Sequence, residues 1–323
     1  MIRESMQQLG KNVIKGKTVL VTGGAGFIGS HLADRLVEKG NKVAVIDDLS
    51  TGKKSNLNKR AAFYKVDVGG PKVSQIFKKE RPDVVFHFAA HIEARESVKN
   101  PVFDAKANIL TTLNLLENCR RFKVKKIIFA SSGGEIYGRA KEIPTSETYL
   151  PAPLSPYGVA KLAVEGYLYS YSKVHNLPFA ALRFGNIYGP RQNPYGEAGV
   201  VAIFTNKMLK GEQPFIHGDG RQTKDYLFID DAIRAVVLVL EKGFNGIVNI
   251  GTGKETSVMG IFKKIKRLTG SKVKEKHVPF PSIGFDRGCL SIKKAKKELD
   301  WEPKIGFEEG IEKTVEWFKS VIK

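Results

Sequence analysis

Two residues in the middle of the chain, Tyr157 and Lys161, have the types and the spacing of an acid–base pair. They lie four residues apart, just after Ser155, a suitable N-cap, and Pro156, a suitable first helical residue. On a helix they would share one face, and an ammonium beside the phenol would favour the phenolate and lower the pKa of the tyrosine. A phenolate can take a proton from a substrate hydroxyl. Pairs with this spacing also occur on ordinary helix surfaces, so the pair needs support from the rest of the chain.

A serine turn provides part of that support. Ser132 lies in Ser131-Ser132-Gly133-Gly134, directly after a predicted strand at 125–130. Its hydroxyl could bond to the same substrate oxygen and stabilise the carbonyl that develops there. Ser131 is the rival for this role. We predict Tyr157, Lys161 and Ser132 as the catalytic residues.

A glycine turn near the N-terminus could bring an oxidant to these residues. The apolar run Val19–Val21 suits a buried parallel strand, glycines follow at 23, 26 and 29, and a helical pattern covers 31–39. The first glycine allows a tight turn, the second lets a pyrophosphate approach, and the third lets the helix pack on the strand. The N–H groups of the helix N-terminus would face the phosphates. A glycine triplet alone also occurs in plain loops, but this strand–helix–strand setting predicts a dinucleotide site.

An acidic residue ends the same unit. A second predicted strand, 42–46, is followed by Asp47, 18 residues after Gly29. A carboxylate there can accept hydrogen bonds from the adenosine ribose and would repel a 2′-phosphate. The predicted cofactor is therefore NAD, whose nicotinamide could take a hydride from the carbon that carries the reacting hydroxyl.

Alternating strands and helices predict an α/β fold with a Rossmann-type, doubly wound parallel sheet. Further strands are predicted at 61–68, 82–90 and 178–183, and long helices at 100–121 and 155–175. After Gly185 the pattern loosens, which indicates a smaller, interleaved C-terminal α/β substrate domain that includes a helix at 197–210. The predicted division is an arm at 1–16, a dinucleotide domain at 17–184 to which 226–254 returns, and a substrate domain at 185–225 and 255–323.

The charge of the chain suits an anionic partner. Its 323 residues carry 53 Lys and Arg against 33 Asp and Glu, a net charge of +20. The lysines are scattered over predicted helix faces without an RNA-binding signature, so a solvated surface is the preferred interpretation and no nucleic-acid partner is predicted. No apolar run reaches the roughly 20 residues that cross a bilayer, so no membrane partner is predicted.

The cysteine and histidine content bears on the cellular location of the protein and on metal binding. Cys119 and Cys289 are too few for a disulfide framework, which favours a cytoplasmic location. The six histidines are scattered without the spacing of metal ligands, so no metal site is predicted.

Several segments together have the form of known motifs. They are the glycine turn 22–32, Phe88-Ala89-Ala90-His91, Ser131-Ser132 with Tyr137-Gly138, the segment 155–161, and Arg183-Phe184-Gly185-Asn186-Ile187-Tyr188-Gly189-Pro190-Arg191. With these motifs the chain resembles the extended short-chain dehydrogenase/reductases, and among them the nucleotide-sugar epimerase/dehydratase family. The likeness covers residues 17–320 and points within that family to the UDP-galactose 4-epimerases.

The resemblance implies a tightly held NAD and a UDP-hexose substrate. Tyr157, helped by Lys161 and Ser132, would deprotonate the sugar O4 while NAD takes the C4 hydride. The 4-keto sugar would turn over and take the hydride back on its other face. The resemblance also implies a homodimer built on the helices that begin near Asn100 and Ser155, with ordinary core packing as the alternative explanation of these helices.

Residues are implied for both ligands. Those implied to line the cofactor are Gly23, Gly26, Phe27, Ile28, Gly29, Asp47, Asp67, Val68, Phe88, Ala89, Ala90, Asn108, Tyr157 and Lys161. Those implied to hold the substrate are Ser132, Tyr157, Asn186, Gly199, Val200, Val201, Arg221, Lys224 and Arg287.

Three departures from the family pattern concern the substrate. Lys224-Asp225-Tyr226 replaces the frequent Arg-Asp-Tyr, and a lysine binds phosphate as a point charge without a bidentate fork. The frequent Arg-Pro-Gly near the C-terminus is missing, which leaves Arg287 and Arg221 for the diphosphate. The turn 133–137 has an extra glycine and carries Glu135 without the aspartate that the dehydratases of the family place beside it.

The leading hypothesis is an NAD-dependent 4-epimerase for UDP-glucose and UDP-galactose or a close NDP-hexose pair. The alternative enzyme is an NDP-sugar 4,6-dehydratase, a uronate epimerase or a decarboxylase of the same family. A non-catalytic, NAD-sensing or nucleic-acid-binding relative is the alternative of another class. Such relatives usually lose the Tyr/Lys pair, which this chain keeps.

Overall fold

The computed structural model describes residues 15–195, 199–280 and 286–322. The predicted arm at 1–16 lies outside the described residues except for its last two positions. The predicted helix start at 197 also lies outside them, as do residues 281–285 of the segment 281–288, which stands where the family frequently has Arg-Pro-Gly.

A seven-stranded parallel sheet forms the centre of the fold. Its strands are β1 (Thr18–Thr22), β2 (Lys42–Asp47), β3 (Ala62–Lys65), β4 (Val84–His87), β5 (Lys126–Ser132), β6 (Phe179–Phe184) and β11 (Gly246–Ile250). Their order is β11-β6-β5-β4-β1-β2-β3. The chain therefore reverses its direction across the sheet between β1 and β4, and ligands bind such sheets at the carboxyl ends of the strands beside this switch point. The predicted doubly wound parallel sheet is confirmed.

Six short strands form two-stranded pairs outside this sheet. The pairs are β7 (Asn186–Tyr188) with β10 (Tyr226–Phe228), β8 (Ile216–His217) with β13 (His277–Val278), and β9 (Thr223–Lys224) with β12 (Thr256–Ser257). The sequence pattern does not predict them, because two or three residues carry too little periodic signal.

The helices predicted at 31–39 and 155–175 are present, and the one predicted at 197–210 is described from Val200. The helices are α1 (Phe27–Glu38), α2 (Val73–Glu80), α3 (Ala94–Lys99), α4 (Pro101–Ala105), α5 (Thr111–Arg121), α6 (Gly133–Ile136), α7 (Pro156–His175), α8 (Val200–Leu209), α9 (Ile229–Glu241), α10 (Val258–Thr269), α11 (Lys293–Leu299) and α12 (Phe307–Val321), with a 3-10 turn at Lys54–Asn56 and a π-helical turn at Lys106–Leu110. The single helix predicted at 100–121 is therefore α4, the π turn and α5 in succession. The short helices α3 and α6 were outside the prediction.

Two apolar clusters cover the two faces of the sheet. Along β1, Val19 and Val21 belong to one cluster and Leu20 to the other. Alternate residues of a strand point to opposite faces, so a strand buried on both faces must be apolar throughout. This explains the continuous apolar runs from which the strands are predicted.

The helix α7 begins where the sequence predicts. Ser155 Oγ accepts a 3.1 Å hydrogen bond from the Gly158 N–H, and Pro156 occupies the first helical position. This cap fixes the start of the helix and therefore the position of Tyr157, one residue further on. None of the helices in the described ranges is long and apolar enough to cross a bilayer.

Candidate active site

Tyr157 and Lys161 lie on one face of α7, next to the carboxyl end of β5. Lys161 Nζ is 5.6 Å from the centre of the Tyr157 ring. The same ammonium donates a 2.8 Å hydrogen bond to the Ala130 carbonyl, two residues before Ser132. The Tyr157 N–H donates to Ser97 Oγ of α3 at 3.1 Å, which ties the first turn of α7 to its neighbour. The fold therefore brings all three predicted catalytic residues to one sheet edge.

The electrostatics of the pair correct the sequence-based expectation. Burial raises the pKa of Tyr157 above its ordinary value, and the carboxylates of Glu135 and Asp104 raise it further. Burial lowers the pKa of Lys161 to about 8, against the opposing effect of Asp104 and Glu165. The expected lowering of the tyrosine pKa by the amine is therefore wrong for the chain alone. Loss of hydration is the larger effect because both groups leave water.

The two candidate serines have different surroundings. Ser131 is buried, and its Oγ donates a 2.6 Å hydrogen bond to Glu165 Oε1. Ser132 is only half-buried, and a Cβ placed on Gly134 would lie 3.9 Å from its Oγ. The hydroxyl of Ser131 is thus committed to the core, which favours Ser132 as the serine that meets a substrate oxygen.

A buried polar network lies behind these serines. Arg183 of β6 donates to both oxygens of Glu165, with Nε–Oε1 at 3.0 Å and Nη2–Oε2 at 2.6 Å. A third bond, 2.8 Å long, runs from Arg183 Nη1 to the Tyr137 hydroxyl, which in turn donates to Asn249 Oδ1 at 2.8 Å. The network joins β5, β6 and β11 to α7 and therefore holds together the elements that carry the site.

Sequence reasoning missed this network, although one signal was present. Tyr157, Lys161 and Glu165 recur at intervals of four residues, so all three face the sheet from α7. The third member of this series pairs with Arg183 because Ser131 and Arg183 are direct neighbours across β5 and β6.

The glycine turn has the shape that a dinucleotide pyrophosphate needs. Gly23 has a φ of +70°, and a Cβ at Gly29 would lie 2.2 Å from the Gly23 carbonyl oxygen. A Cβ at Gly26 would meet only that same oxygen within 4 Å, at the close distance of 3.2 Å, so no other atom of the described residues crowds Gly26. No side chain caps the N-terminus of α1, whose N–H groups are thus left for a ligand. The residues present fit NAD.

Asp47 lies at the end of β2 with its carboxylate held by the backbone. Oδ2 accepts from the Ala25 N–H at 3.0 Å and Oδ1 from the Leu49 N–H at 2.8 Å. Burial raises the pKa of Asp47, and these backbone bonds oppose the rise. Each carboxylate oxygen can accept a further hydrogen bond, which suits the two hydroxyls of a ribose.

Hydrogen bonds from β1 and from the π-helical turn hold the segment after β4 in place. The Phe88 and Ala89 N–H groups both lie within 3.3 Å of Thr22 Oγ1, at the end of β1. The Asn108 side chain accepts from the His91 N–H at 2.9 Å and donates to the His91 carbonyl at 3.0 Å. Asn108 therefore holds the loop that leads out of β4, and its contact with the cofactor stays a prediction.

The remaining predicted cofactor residues lie at the edge of the sheet. Asp67 is exposed, and its Oδ1 accepts from the Gly69 N–H at 2.8 Å. Val68 is buried, and its carbonyl accepts from Asn114 Nδ2 at 2.8 Å. Both follow β3, so they lie at the same carboxyl-end edge as Asp47.

Several predicted substrate residues meet on the other side of the switch point. A Cβ on Gly134 would lie 3.5 Å from Asn186 Oδ1, so Asn186 and Ser132 flank the same small residue. Burial lowers the pKa of the half-buried Lys224 to about 7, and the carboxylates of Glu135 and Asp286 oppose this. Gly199 precedes α8, which begins with Val200 and Val201.

Of the two predicted diphosphate arginines, Arg287 is paired with a carboxylate and Arg221 lies at the exposed surface. Arg287 binds Glu255 in a bidentate pair, with Nε–Oε1 at 2.9 Å and Nη2–Oε2 at 2.5 Å. The side chain of Arg221 is 90% exposed and lies 3.6 Å from Asp219. Their contact with a diphosphate stays a prediction, because each would have to leave or extend its present pairing.

Asp225, between Lys224 and Tyr226, was also missed. Its buried carboxylate accepts from the Thr252 N–H at 2.7 Å, from Gly253 at 3.1 Å and from Leu290 at 3.2 Å. One side chain thus joins the loop after β11 to the segment before α11, beside Lys224. Within 15–195, 199–280 and 286–322, no three His, Cys, Asp or Glu side chains are grouped to hold a metal ion.

Comparison with known proteins decides the family. The model of the NAD dependent epimerase/dehydratase family matches residues 19–251, which include the glycine turn, both serines and α7. The chain belongs to this family. Its membership confirms the family expected from the motifs, the expectation of an enzyme, and the dependence on NAD.

Relatives of known name cover nearly the whole chain. The crystal structure of UDP-glucose 4-epimerase with UDP-glucose from Thermotoga maritima is 48% identical, covers 94% of this chain and 99% of its own, and superposes with a TM-score of 0.92. The Thermus thermophilus UDP-glucose 4-epimerase in complex with NAD is 41% identical with a TM-score of 0.91, at 94% and 99% coverage. The UDP-glucose 4-epimerase of Mycolicibacterium smegmatis is 40% identical over 93% of this chain and 98% of its own.

Proposed function

We propose that this chain is an NAD-dependent 4-epimerase that interconverts UDP-glucose and UDP-galactose. The observation that carries the proposal is the placing of Tyr157 and Lys161 on α7 against Ala130, two residues from Ser132, in a dinucleotide-binding fold. Relatives with this activity in their names match over 93–94% of the chain at 40–48% identity, which supports the choice of substrate.

The chain supplies a proton acceptor and the groups that orient it. Tyr157 takes the proton from the sugar O4 and returns it after the ring has turned over, while Ser132 bonds to the same oxygen. Lys161 is held between the Ala130 carbonyl and the phenol ring, where its charge favours the phenolate. NAD, when bound, supplies a reversible acceptor for the C4 hydride, and its positively charged ring also favours the phenolate. Gly23, Gly26, Gly29 and Asp47 would hold its pyrophosphate and ribose.

The nucleotide sugar would occupy the other side of the switch point. Asn186, the Gly199–Val201 start of α8 and Lys224 would bind its diphosphate part, with Arg221 and Arg287 as further cations. Lys224 carries a full charge only below its lowered pKa of about 7, so binding of the diphosphate itself would favour the protonated amine.

Incubation of the purified chain with UDP-galactose tests the activity. The expected product is UDP-glucose, formed without net consumption of NAD and without added reductant. Turnover of another nucleotide sugar with no interconversion of this pair would contradict the proposal.

One observation favours a second candidate, an NDP-sugar 4,6-dehydratase. The carboxylate of Glu135 lies close enough to Tyr157 to raise the pKa of its phenol, and Glu135 Oε2 accepts from Ser155 Oγ at 3.1 Å. A carboxylate beside the catalytic phenol could assist the loss of water from the sugar. Appearance of a 4-keto-6-deoxy sugar in the same incubation would favour this candidate.

We further propose a homodimer, a cytoplasmic location and the predicted division into two domains. Apolar side chains lie exposed along α4 and α7, namely Val102, Phe103 and Val159. A groove of about 380 Å³ runs between these helices, lined by Pro101, Ala105, Leu154 and Val159 among others. A second copy of the chain would cover this apolar face.

The cytoplasmic location is supported by the cysteines. Both are unpaired, which suits a reducing compartment.

A further inference from the structure

The turn Gly189–Gln192 connects two helices that the proposed function assigns to different ligands. On one side it contacts α1, whose N-terminus is proposed to face the pyrophosphate of NAD. On the other side the chain continues to Gly199 and α8, whose start is assigned to the nucleotide sugar.

Two polar contacts fasten the turn to α1. His31 Nε2 lies 3.0 Å from the Pro190 carbonyl oxygen, so this nitrogen carries the hydrogen and donates. Arg191 Nη1 donates to Asp34 Oδ2 at 2.7 Å. His31 and Asp34 are three residues apart, so both contacts come from one face of the helix.

The backbone of the turn is held in an uncommon conformation. Arg191 has a φ of +67°, in the left-handed region that side chains other than glycine rarely adopt. Arg191 and Asp34 are also largely shielded, at 28% and 27% side-chain exposure, where an ion pair is screened less than at an open surface. The pair therefore helps to stabilise a backbone conformation that costs free energy for a residue other than glycine.

Asp34 reaches a third segment. Its other oxygen, Oδ1, accepts from Asn58 Nδ2 at 2.7 Å. Asn58 belongs to the loop that follows Asp47, and in this loop the Lys53 N–H bonds to the Ala25 carbonyl at 3.0 Å. The same carboxylate thus links the adenosine side of the dinucleotide site to the turn.

The other end of the turn reaches the start of α8. Gln192 Nε2 donates to the Ile187 carbonyl at 3.1 Å. A Cβ on Gly199 would lie 2.7 Å from this same Nε2. A displacement of the turn would therefore move the residue from which α8 begins.

We propose that Asp34, Arg191 and His31 are positioning residues that couple the NAD site to the nucleotide-sugar site through the turn 189–192. The identities of both ligands rest on the proposed function. In this proposal NAD bound at α1 fixes the position of the turn, and the turn fixes the position of the first residues of α8. Because coupling between two binding sites is reciprocal, a nucleotide bound at α8 raises the affinity for NAD by the same factor, and we expect this gain to appear mainly as slower release of NAD.

Release of NAD tests the coupling without reference to turnover. The loaded protein is diluted into an NAD trap with and without UDP, and the free NAD is followed. We expect UDP to slow release from the wild type by about fivefold or more, and this factor to fall towards one in Asp34→Asn and Arg191→Gln. The double variant should be no worse than either single variant, because both remove the same contact.

Turnover gives a second, separate measurement. In both variants KM for UDP-galactose should rise about fivefold to tenfold while kcat stays within about twofold of the wild type. Arg191→Lys, which keeps the charge, should recover part of the loss. Arg35→Gln is the matched control, since Arg35 pairs with Glu38 on the same helix at 3.2 Å but does not touch the turn.

The outcomes separate the two proposals. Variants with wild-type thermal midpoints, an unchanged UDP effect on NAD release and an unchanged KM would overturn the coupling while leaving the epimerase intact. If UDP-galactose is not converted but UDP still slows NAD release in an Asp34-dependent way, the coupling stands and the proposed substrate is wrong. A loss of the UDP effect in Arg35→Gln as well would also overturn the coupling, because any damage to α1 would then suffice.

Discussion

Burial shifts the pKa values of the two residues proposed to carry the proton transfer. In the chain alone Tyr157 is a weaker acid and Lys161 a weaker base than in water, because neither charged form is hydrated there. The neighbouring carboxylates of Asp104 and Glu165 favour a charged Lys161, whereas Asp104 and Glu135 disfavour a charged Tyr157. A positive charge close to the phenol, from Lys161 and, in the proposed function, from the oxidised ring of bound NAD, would favour the phenolate.

The two serines should respond differently to the same substitution. Ser132→Ala removes the hydroxyl proposed to bond to the sugar O4, and we expect kcat to fall about 10²- to 10³-fold with unchanged stability. Ser131→Ala removes a donor to a buried carboxylate, and we expect a loss of about 1–3 kcal/mol in the free energy of unfolding with a smaller effect on kcat. Urea denaturation and turnover assays on both variants would check this. The opposite pattern would exchange the roles of the serines.

His87 should make the fold sensitive to acid. Burial lowers the pKa of His87 to about 3, and its ring nitrogens lie 2.8 Å from Thr22 Oγ1 and 2.9 Å from Thr112 Oγ1. Below about pH 6.5 the unfolded chain takes up a proton at this residue, whereas the folded chain does not until about pH 3. The stabilisation is therefore present above pH 6.5 and is lost as the pH falls towards 3.

A substitution isolates this effect. In His87→Gln the free energy of unfolding should fall less steeply between pH 6.5 and pH 4.5 than in the wild type, by up to about 1.4 kcal/mol for each pH unit. Urea denaturation at several pH values measures the two slopes. Equal slopes would show that His87 is not the group responsible.

At the scale of elements, substitutions at two glycines of the β1–α1 turn should differ in their effects on NAD binding and on folding. A Cβ at Gly29 would be 2.2 Å from a backbone oxygen, so Gly29→Ala must displace α1 and should lower both stability and NAD content. A Cβ at Gly26 would lie 3.2 Å from the Gly23 carbonyl oxygen, a close contact that a small shift can relieve, and it would occupy the space proposed for the pyrophosphate. Gly26→Ala should therefore lose NAD, while its thermal midpoint measured without NAD falls less than that of Gly29→Ala. Full NAD content in Gly26→Ala would contradict the placing of the pyrophosphate.

The sequence predicts the elements well wherever their pattern is long and regular. The strands of the central sheet are short apolar runs because both faces are buried, and α7 begins at a recognisable Ser-Pro cap. The break at Lys106–Leu110 could not be predicted, because this single π turn contains no Gly or Pro that would mark an interruption of the helix. The same holds for strand pairs of two or three residues.

Only part of the site could be predicted, because some of its features depend on long-range contacts and on burial. Tyr157, Lys161 and Ser132 lie in recognisable local patterns, whereas the network of Glu165 and Arg183 depends on the register of β5 against β6. The raised pKa of Tyr157 depends on how far the folded chain excludes water, which no spacing reveals. Long-range contacts and burial are properties of the fold, and one sequence shows them only indirectly.

At the scale of the whole molecule, the apolar face of α4 and α7 should set the oligomeric state. Val159 lies on α7, only two residues after Tyr157, and its side chain is exposed. Val159→Lys or Phe103→Asp would place a charge in the proposed interface, and we expect a shift from dimer to monomer in analytical ultracentrifugation. Val321→Lys is a matched control, since Val321 is equally exposed on α12. A wild-type monomer would contradict the proposed homodimer.

The comparison of the wild type with Tyr157→Phe tests the central claim most directly. Both proteins are loaded with NAD, their NAD content and thermal midpoints are matched, and conversion of UDP-galactose is followed. We predict conversion by the wild type and a rate about 10²- to 10⁴-fold lower in the variant, because the phenol is the proposed proton acceptor for O4. Conversion by Tyr157→Phe at the wild-type rate would contradict the account.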